Sequence, residues 1–155
     1  MIKVLFICHG NICRSPMAEF IFKDIIRRAG REAEFEVQSA ATSREETGND
    51  IYPLAKRILT AHGVPYEHRQ AHQVTAYAMD HYDLIVIMDD NNARNLQRMF
   101  GNKYDEKIFK LMSFAAAGTD SDVSDPWYTD NFEVAYRDIE AGCRGLFAIM
   151  EKKTI

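Results

Sequence analysis

Short, almost continuously apolar runs recur along this chain. They occupy residues 3–7, 35–39, 84–88 and 107–111. A strand in the middle of a parallel sheet is covered on both faces, so its sequence lacks the strict alternation of a half-exposed strand. The runs therefore predict four β-strands, most of them buried.

The stretches between these runs have the periodicity of amphipathic helices. In residues 16–29, one side of a helix would carry Ala18, Ile21, Phe22 and Ile25. Comparable stretches predict helices over residues 53–62, 91–100 and 131–152. We expect the last helix to continue through Gly142 and Gly145.

The alternation of strands and helices predicts a small, doubly wound α/β fold. We expect residues 1–155 to form one domain with a four-stranded parallel sheet in the flavodoxin-like order 2-1-3-4 and helices on both faces. In such folds the ligand lies beyond the carboxyl ends of the strands. Cys8, Ser39, Met88 and the segment after Leu111 all fall at that edge.

The composition narrows the possible partners and the compartment. Hydrophobic residues make up 46% of the chain and the formal net charge is −4. This charge disfavours nucleic acid and anionic membranes, but it allows a local basic site for an anion. The apolar runs are too short for a membrane span, and the first is too short for a signal peptide. We expect a cytoplasmic protein.

The cysteines and histidines give no sign of a disulfide framework or a metal centre. The chain has three cysteines, Cys8, Cys13 and Cys143. Such a small, odd number fits free thiols in a reducing compartment. The five histidines are scattered, and no second Cys/His pair has zinc-ligand spacing. We expect neither a metal nor another cofactor.

The turn between the first strand and the first helix contains the most informative residues. Ser15 is a favourable N-cap and Pro16 suits the first helical position, so the turn leads into a helix N-terminus. Backbone N–H groups there have no partner within the helix. Gly10 and Asn11 readily adopt left-handed φ, so the turn can curl into a nest for an anion such as phosphate.

The chemistry of this turn indicates a covalent phosphoenzyme mechanism. The dipoles that would bind phosphate also stabilise a Cys8 thiolate, and the planar Arg14 side chain can hold two phosphate oxygens. Ser15 can stabilise the thiolate as a leaving group. The alternative is a buried structural cysteine before an ordinary turn. A nucleotide P-loop is excluded, because the Gly-Lys-Ser/Thr sequence is missing.

With these residues in view, the chain resembles the low-molecular-weight protein tyrosine phosphatases. CHGNICRSP is similar to the signature of that family, and VQSAAT, YDLIVIMDDNN, DPWY and EAGCRGL are similar to other family segments. The resemblance covers nearly the whole chain. It implies a phosphotyrosine protein substrate, a Cys8 nucleophile, and phosphate or other oxyanions bound by the loop His9, Gly10, Asn11, Ile12, Cys13, Arg14 and Ser15.

The resemblance also implies supporting roles for further residues. Asn11 would stabilise the loop with Ser39 and His68 as partners, although composition alone describes these as a strand-end serine and a surface histidine. Cys13 would form a protective disulfide with Cys8 under oxidation. The alternative is that Cys13 only packs beneath the loop. We expect Cys143 to be a core residue.

A proton donor is needed to expel a phenolate, and Asp125 in SDPWYTD is the best candidate. The family resemblance places the general acid at this Asp-Pro pair. Asp125 could instead only cap a turn, and Asp120 and Asp122 are rival carboxylates. Trp127 and Tyr128 would line the substrate cleft, although they could be core residues.

Other functions are known for proteins of similar architecture. Arsenate reductases of similar fold need further cysteines, and Cys143 stands alone. Protein-arginine phosphatases of the family typically carry threonine where this chain has Ile12, whose apolar side chain suits an aromatic ring. A non-catalytic phosphotyrosine-binding module should lack the nucleophile or the acid. A redox sensor that uses Cys8 and Cys13 stays open as an added property. With respect to oligomeric state, we expect a monomer. The acidic segment 43–50, SREETGND, leaves substrate preference open.

Overall fold

The computed structural model describes residues 1–115 and 121–153. In chain order the elements are β1 (Ile2–Cys8), α1 (Arg14–Arg28), β2 (Phe35–Ala41), α2 (Pro53–Ala61), α3 (Ala76–His81), β3 (Leu84–Ile87), α4 (Asp90–Phe100), β4 (Ile108–Lys110), α5 (Pro126–Thr129) and α6 (Phe132–Lys153). The alternation of strands and helices matches the pattern of apolar runs and amphipathic stretches.

The four strands form one parallel sheet in the order β2-β1-β3-β4, which confirms the predicted fold. Cys8 pairs in register with Ala41 of β2, and Ile7 pairs with Ile87 of β3. Ile87 in turn pairs with Lys110 of β4. The carboxyl ends of all four strands therefore meet at one edge, and Cys8 lies near its centre.

The sheet is covered on both faces, as the continuous apolar runs require. Val4 and Phe6 belong to a cluster that includes the buried sides of α1 and α6, in which the rings of Phe6 and Phe22 meet edge to face. Leu5 and Ile7 belong to a second cluster on the opposite face, with residues of α3 and α4. Successive β1 side chains point to opposite faces, so both sets are buried.

Helix α6 continues through Gly142 and Gly145, as expected. Both glycines face another segment of the chain that lies very close to the helix. A β-carbon at Gly145 would lie 1.6 Å from the carbonyl oxygen of Phe114, and one at Gly142 would lie 2.5 Å from Leu111 Cγ. Leu111 and Phe114 bound the 3₁₀ turn that follows β4. The glycines therefore allow α6 to pack directly against this turn.

Some local features differ from the sequence predictions. Helix α3 was not predicted, because six residues are too few to show a helical period; the Thr75 side chain caps it by accepting from Ala78 N at 3.1 Å. Helix α5 and the 3₁₀ turn Leu111–Phe114 were not predicted either, since each has only four residues. Within residues 1–115 and 121–153, no helix is long and apolar enough to cross a bilayer.

Candidate active site

Cys8 is the last residue of β1, and its sulfur lies inside the turn that leads to α1. The side chain is buried, and Sγ accepts from the backbone N–H groups of Asn11 at 3.3 Å and Ser15 at 3.4 Å. The Ser15 hydroxyl lies 3.0 Å from the same sulfur. Three polar groups that can donate to a thiolate therefore converge on Cys8.

The curled shape of the turn depends on Asn11. Its φ is +60°, in the left-handed region that asparagine tolerates better than most residues. Of the two residues that could adopt left-handed φ in this turn, only Asn11 does so, because the φ of Gly10 is not positive. The fully buried Asn11 side chain donates to Ser15 Oγ at 2.8 Å and to Ser39 Oγ at 3.0 Å. Asn11 thus connects the turn to α1 and to β2.

Ser39 extends this connection to a buried carboxylate. The Ser39 hydroxyl donates to Glu19 Oε1 at 2.6 Å, and Lys23 Nζ lies 2.5 Å from Glu19 Oε2. The predicted proximity of Ser39 to Asn11 is therefore present in the structure. Glu19 was not among the predicted site residues. A signal was present, because Glu19 is a charged residue on the buried side of α1, one turn after Ser15.

The expected N-cap role of Ser15 is wrong. Helix α1 begins at Arg14, and its N-cap residue, Cys13, makes no side-chain capping bond. Ser15 lies inside the first turn, where its hydroxyl accepts from Asn11 and contacts Cys8 Sγ. A hydroxyl that satisfies these two groups is not available for the helix end.

The structure does not bring His68 to Asn11. His68 Nδ1 lies 3.0 Å from Asp50 Oδ2, and the ring is largely exposed. The neighbouring residue, Arg69, occupies the expected place: its Nη2 donates to the Asn11 carbonyl oxygen at 2.6 Å and also to Asn11 Oδ1. The sequence contains no local signal that distinguishes these two adjacent basic residues.

Arg14 is buried and surrounded by acceptors. Nη1 donates to Asp89 Oδ2 at 2.7 Å and to the Val123 carbonyl oxygen at 2.9 Å, and Nη2 contacts Asp125 Oδ2 at 3.4 Å. Burial alone would lower the pKa of Arg14, but Cys8, Asp125 and Asp89 raise it above its ordinary value. Arg14 is therefore a permanent cation with a fixed orientation. Asp89, which holds the Arg14 guanidinium, was not among the candidate residues of the sequence analysis.

Asp125 both caps a helix and faces the site. Its Oδ1 accepts from Trp127 N at 3.0 Å, which caps α5, while Oδ2 faces Arg14. The capping role and a role in the cleft are therefore compatible. The rival Asp122 does not line the cleft; its Oδ1 pairs with Lys110 Nζ at 2.8 Å. Asp120 lies outside the described residues.

The segment that precedes Asp125 is anchored to the sheet edge. Val123 is buried, and its N–H donates to the carbonyl oxygen of Met88, directly after β3, at 2.8 Å. Lys110 of β4 contacts both Asp122 and Asp90, the latter at 2.7 Å. These contacts hold the acidic segment over the phosphate-loop candidate.

A cleft above Cys8 joins these groups. It is lined by Cys8, His9, Gly10, Ile12, Cys13, Arg14, Glu45, Glu46, Asp125, Trp127 and Tyr128. The Trp127 ring packs edge to face on Tyr52, with 5.0 Å between centroids, and Tyr52 stacks on Phe132. Trp127 and Tyr128 are exposed, so they form a wall of the cleft instead of joining the core.

The remaining two cysteines are free and buried. Burial, with Cys8 and Asp125 nearby, raises the pKa of the Cys13 thiol, so it stays protonated at neutral pH. The disulfide between Cys8 and Cys13 stays a prediction. Cys143 is fully buried in α6 and contacts the carbonyl oxygen of Ala18, which confirms that it is a core residue.

Comparison with known proteins adds an independent finding. Residues 3–155 match the family model for low molecular weight phosphotyrosine protein phosphatase. The chain is 38% identical over 153 residues to the Bacillus subtilis low molecular weight protein-tyrosine-phosphatase YfkJ, covering 99% of this chain and 98% of that protein. The crystal structure of YfkJ superposes with a TM-score of 0.94, covering 100% of this chain and 98% of that one.

Two further solved structures are similar. One is SP-PTP, a low molecular weight protein tyrosine phosphatase from Streptococcus pyogenes, with a TM-score of 0.87 and 35% identity, covering 97% of this chain and 93% of that one. The other is the arginine phosphatase YwlE from Bacillus subtilis, with a TM-score of 0.84 and 27% identity, covering 97% of both chains.

Proposed function

The chain belongs to the low molecular weight phosphotyrosine protein phosphatase family, and we propose that it is a cysteine-dependent enzyme that hydrolyses phosphotyrosine in proteins. The observation that carries this proposal is the convergence of two backbone N–H groups and one hydroxyl on Cys8 Sγ. An inert structural cysteine has no need of three such groups, whereas a thiolate nucleophile does.

Phosphate or another oxyanion binds in the loop formed by residues 9–15. The loop amides act as donors at the N-terminus of α1, where the helix dipole favours an anion. Arg14 presents a buried guanidinium, oriented by Asp89 and by the Val123 carbonyl. Because protein groups hold Arg14 in this orientation, the loop needs little reorganisation to stabilise charge in the transition state.

The first chemical step transfers the phosphoryl group to Cys8. The thiolate attacks phosphorus, an S–P bond forms, and the bond from phosphorus to the tyrosine oxygen breaks. Asp125 donates its proton to that oxygen, because a phenolate with a conjugate-acid pKa of about 10 is a poor leaving group. A phosphate dianion also competes with Asp125 for Arg14 Nη2, which frees the carboxyl group for this role.

The second step hydrolyses the phosphocysteine. Asp125 takes a proton from water, the water oxygen attacks phosphorus, and the S–P bond breaks. The Ser15 hydroxyl, 3.0 Å from Sγ, stabilises the departing thiolate. Inorganic phosphate leaves and the original charge state is restored.

The cleft supports tyrosine as the phosphorylated side chain. Ile12 contributes an apolar side chain to the floor, and Trp127 and Tyr128 contribute exposed rings to one wall. Aromatic rings favour such surroundings by area burial and edge-to-face contact. Phosphoarginine is the alternative substrate, and the apolar side chain of Ile12 and the aromatic rings of Trp127 and Tyr128 favour phosphotyrosine over it.

The setting of the enzyme is also part of the proposal. We propose one domain that acts as a monomer in the cytoplasm without a metal or another cofactor. Three free cysteines support a reducing compartment. Size-exclusion chromatography with light scattering tests the monomer, and activity in the presence of a chelator tests independence from metals.

The decisive experiment compares phosphate release from a phosphotyrosine peptide and a phosphoarginine substrate. The wild type is measured beside Cys8→Ser, and Cys143→Ser is the matched control because it makes the same change away from the cleft. We expect phosphotyrosine turnover in the wild type and in Cys143→Ser, and none in Cys8→Ser. Rapid acid quenching followed by mass spectrometry should detect phosphate on Cys8.

Two results would contradict the proposal. Equal turnover by Cys8→Ser would remove the nucleophile from the mechanism. A phosphoarginine preference would replace tyrosine as the substrate while leaving the phosphocysteine chemistry intact.

A further inference from the structure

The two walls of the cleft differ in character. Trp127 and Tyr128 form the aromatic wall, and Glu45 and Glu46, which follow β2, form the acidic wall. The aromatic wall suits the ring of the phosphotyrosine. The acidic wall rises at the mouth of the same cleft, with 70% of the Glu45 side chain exposed, and so it faces the residues that flank the phosphotyrosine.

Among the described residues, no lysine or arginine forms an ion pair with either carboxylate of the acidic wall. Glu46 Oε2 accepts from the neutral amide of Asn49 at 2.7 Å. Glu45 Oε2 contacts the imidazole Nε2 of His9 at 3.1 Å, and this contact involves neither a lysine nor an arginine. Arg44, next to Glu45 in sequence, instead donates from Nε to the side-chain oxygen of Gln73 at 3.0 Å.

Other carboxylates in this part of the molecule do have cationic partners. Asp50, at the end of the same segment, pairs with Lys56 at 2.7 Å. Asp125 faces Arg14, which is the sole arginine or lysine among the described residues that line the cleft. Arg14 lies on the floor of the cleft, where its proposed role is to bind the phosphate group. The mouth of the cleft therefore carries a negative charge that the floor does not offset.

We propose that Glu45 and Glu46 determine specificity, so that the enzyme prefers phosphotyrosine flanked by lysine or arginine to phosphotyrosine flanked by aspartate or glutamate. This inference rests on the proposed function, because it concerns substrates of the same cleft. Basic flanking residues pair with the acidic wall and offset its repulsion of the phosphate dianion. Acidic flanking residues add to that repulsion.

The expected preference is moderate. Exposed ion pairs change affinities only a few-fold each, so two carboxylates together should give a preference of about fivefold at low ionic strength. Salt should reduce this ratio, since ion pairs between exposed charges are weakened by screening. Charge complementarity of this kind acts mainly on specificity and association rate.

The test uses two phosphotyrosine peptides of equal length that differ only at two flanking positions, arginine in one and glutamate in the other. The ratio of their kcat/KM values is measured for the wild type and for Glu45→Gln/Glu46→Gln, at low and at high salt. We expect a ratio of about five in the wild type at low salt and a ratio near one in the double variant. High salt should lower the wild-type ratio.

The matched control is Asp105→Asn/Glu106→Gln. Both of these carboxylates are exposed, and they precede β4 at the opposite edge of the sheet, so the variant removes the same charge away from the cleft. It should keep the wild-type ratio. A wild-type ratio near one, or a ratio that survives in Glu45→Gln/Glu46→Gln, would overturn the specificity proposal.

A second readout separates this proposal from the proposed function. Dissociation constants of the two peptides are measured with Cys8→Ser, which needs no turnover. In one outcome, the wild type hydrolyses neither peptide nor p-nitrophenyl phosphate while Cys8→Ser still binds the basic peptide more tightly. In that case the phosphatase proposal fails, and the proposed preference for basic flanking residues is supported. Equal dissociation constants refute the acidic wall, whatever the fate of the phosphatase proposal.

Discussion

Arg69 Nη2 lies 2.6 Å from the carbonyl oxygen of Asn11, the residue whose left-handed backbone curls the loop around Cys8. The same guanidinium also contacts the Asn11 side-chain oxygen. A left-handed asparagine is held at some conformational cost, so its neighbours must stabilise it. Arg69, at 58 positions along the chain from Asn11, is one of these neighbours.

Replacement of Arg69 should therefore weaken the enzyme without removing any reacting group. We expect Arg69→Met to lower kcat/KM about tenfold, since a charge-assisted hydrogen bond contributes roughly 1.5–3 kcal/mol and part of it is recovered by relaxation. Arg69→Lys should recover part of the loss. Steady-state kinetics with p-nitrophenyl phosphate measures the effect. The exposed Arg57→Met is the control, and an Arg69→Met enzyme as active as this control would rule out the role.

Ser15 should matter most in the step that releases the thiolate. Its hydroxyl is 3.0 Å from Cys8 Sγ, so Ser15→Ala removes a donor to the leaving group. We expect kcat to fall about 100-fold, the lower end of the range for the loss of one stabilising donor, with phosphocysteine accumulating as a burst of phenol release. Rapid-quench kinetics measures the burst, and the exposed Ser113→Ala serves as the control. A variant with normal kcat and no burst would contradict this role.

Asp50 should contribute a pH-dependent part of the stability. Burial alone would raise its pKa, but Lys56, the backbone N–H groups of Ile51 and Arg69, and His68 hold the pKa well below its ordinary value. A carboxyl whose pKa is lower in the folded state stabilises the fold above the unfolded pKa of about 3.9. This stabilisation declines as the pH falls from about 4 toward the folded pKa.

Asp50→Asn tests this dependence. We expect a loss of about 1–2 kcal/mol in the free energy of unfolding at neutral pH, because the variant loses an ion pair with Lys56 and charge-assisted bonds to backbone N–H groups. The difference from wild type should shrink below about pH 4. Urea unfolding across this range measures it, with the exposed Asp105→Asn for comparison. A difference that does not change with pH would refute the assignment.

Gly145 should be intolerant of any side chain. A β-carbon there would lie 1.6 Å from the Phe114 carbonyl oxygen, so α6 or the turn Leu111–Phe114 must move. Although alanine favours helix by about 1 kcal/mol over glycine, overpacking of this kind costs about 1–3 kcal/mol or more, and we expect Gly145→Ala to destabilise the protein. Thermal unfolding measures the change. Ala148→Ser adds one atom at an exposed position of the same helix and should be nearly neutral. A stabilised Gly145→Ala would mean that the two segments are not in contact.

Local sequence was sufficient for the elements and for the central loop. Apolar runs of four or five residues indicated β1 and β3 because a covered parallel strand has few other possible sequences. The right-handed connections of such units allow only a few strand orders, and the expected flavodoxin-like order is the one observed. The group of Cys8, Asn11 and Arg14 was recognisable because all three lie in one turn, where short-range geometry dictates what each residue type can do.

What the sequence determined by itself is therefore the alternation of strands and helices, the parallel sheet that this alternation implies and the loop that surrounds Cys8. Only the tertiary structure decided that Arg69, not His68, holds Asn11, that Asp89 orients Arg14 from 75 positions away, and that Ser15 serves the cysteine instead of the helix end. Periodicity and turn chemistry act between near neighbours in the chain. Contacts between distant side chains depend on how whole elements pack. A shift of one position along the chain, as between His68 and Arg69, decides which side chain contacts Asn11.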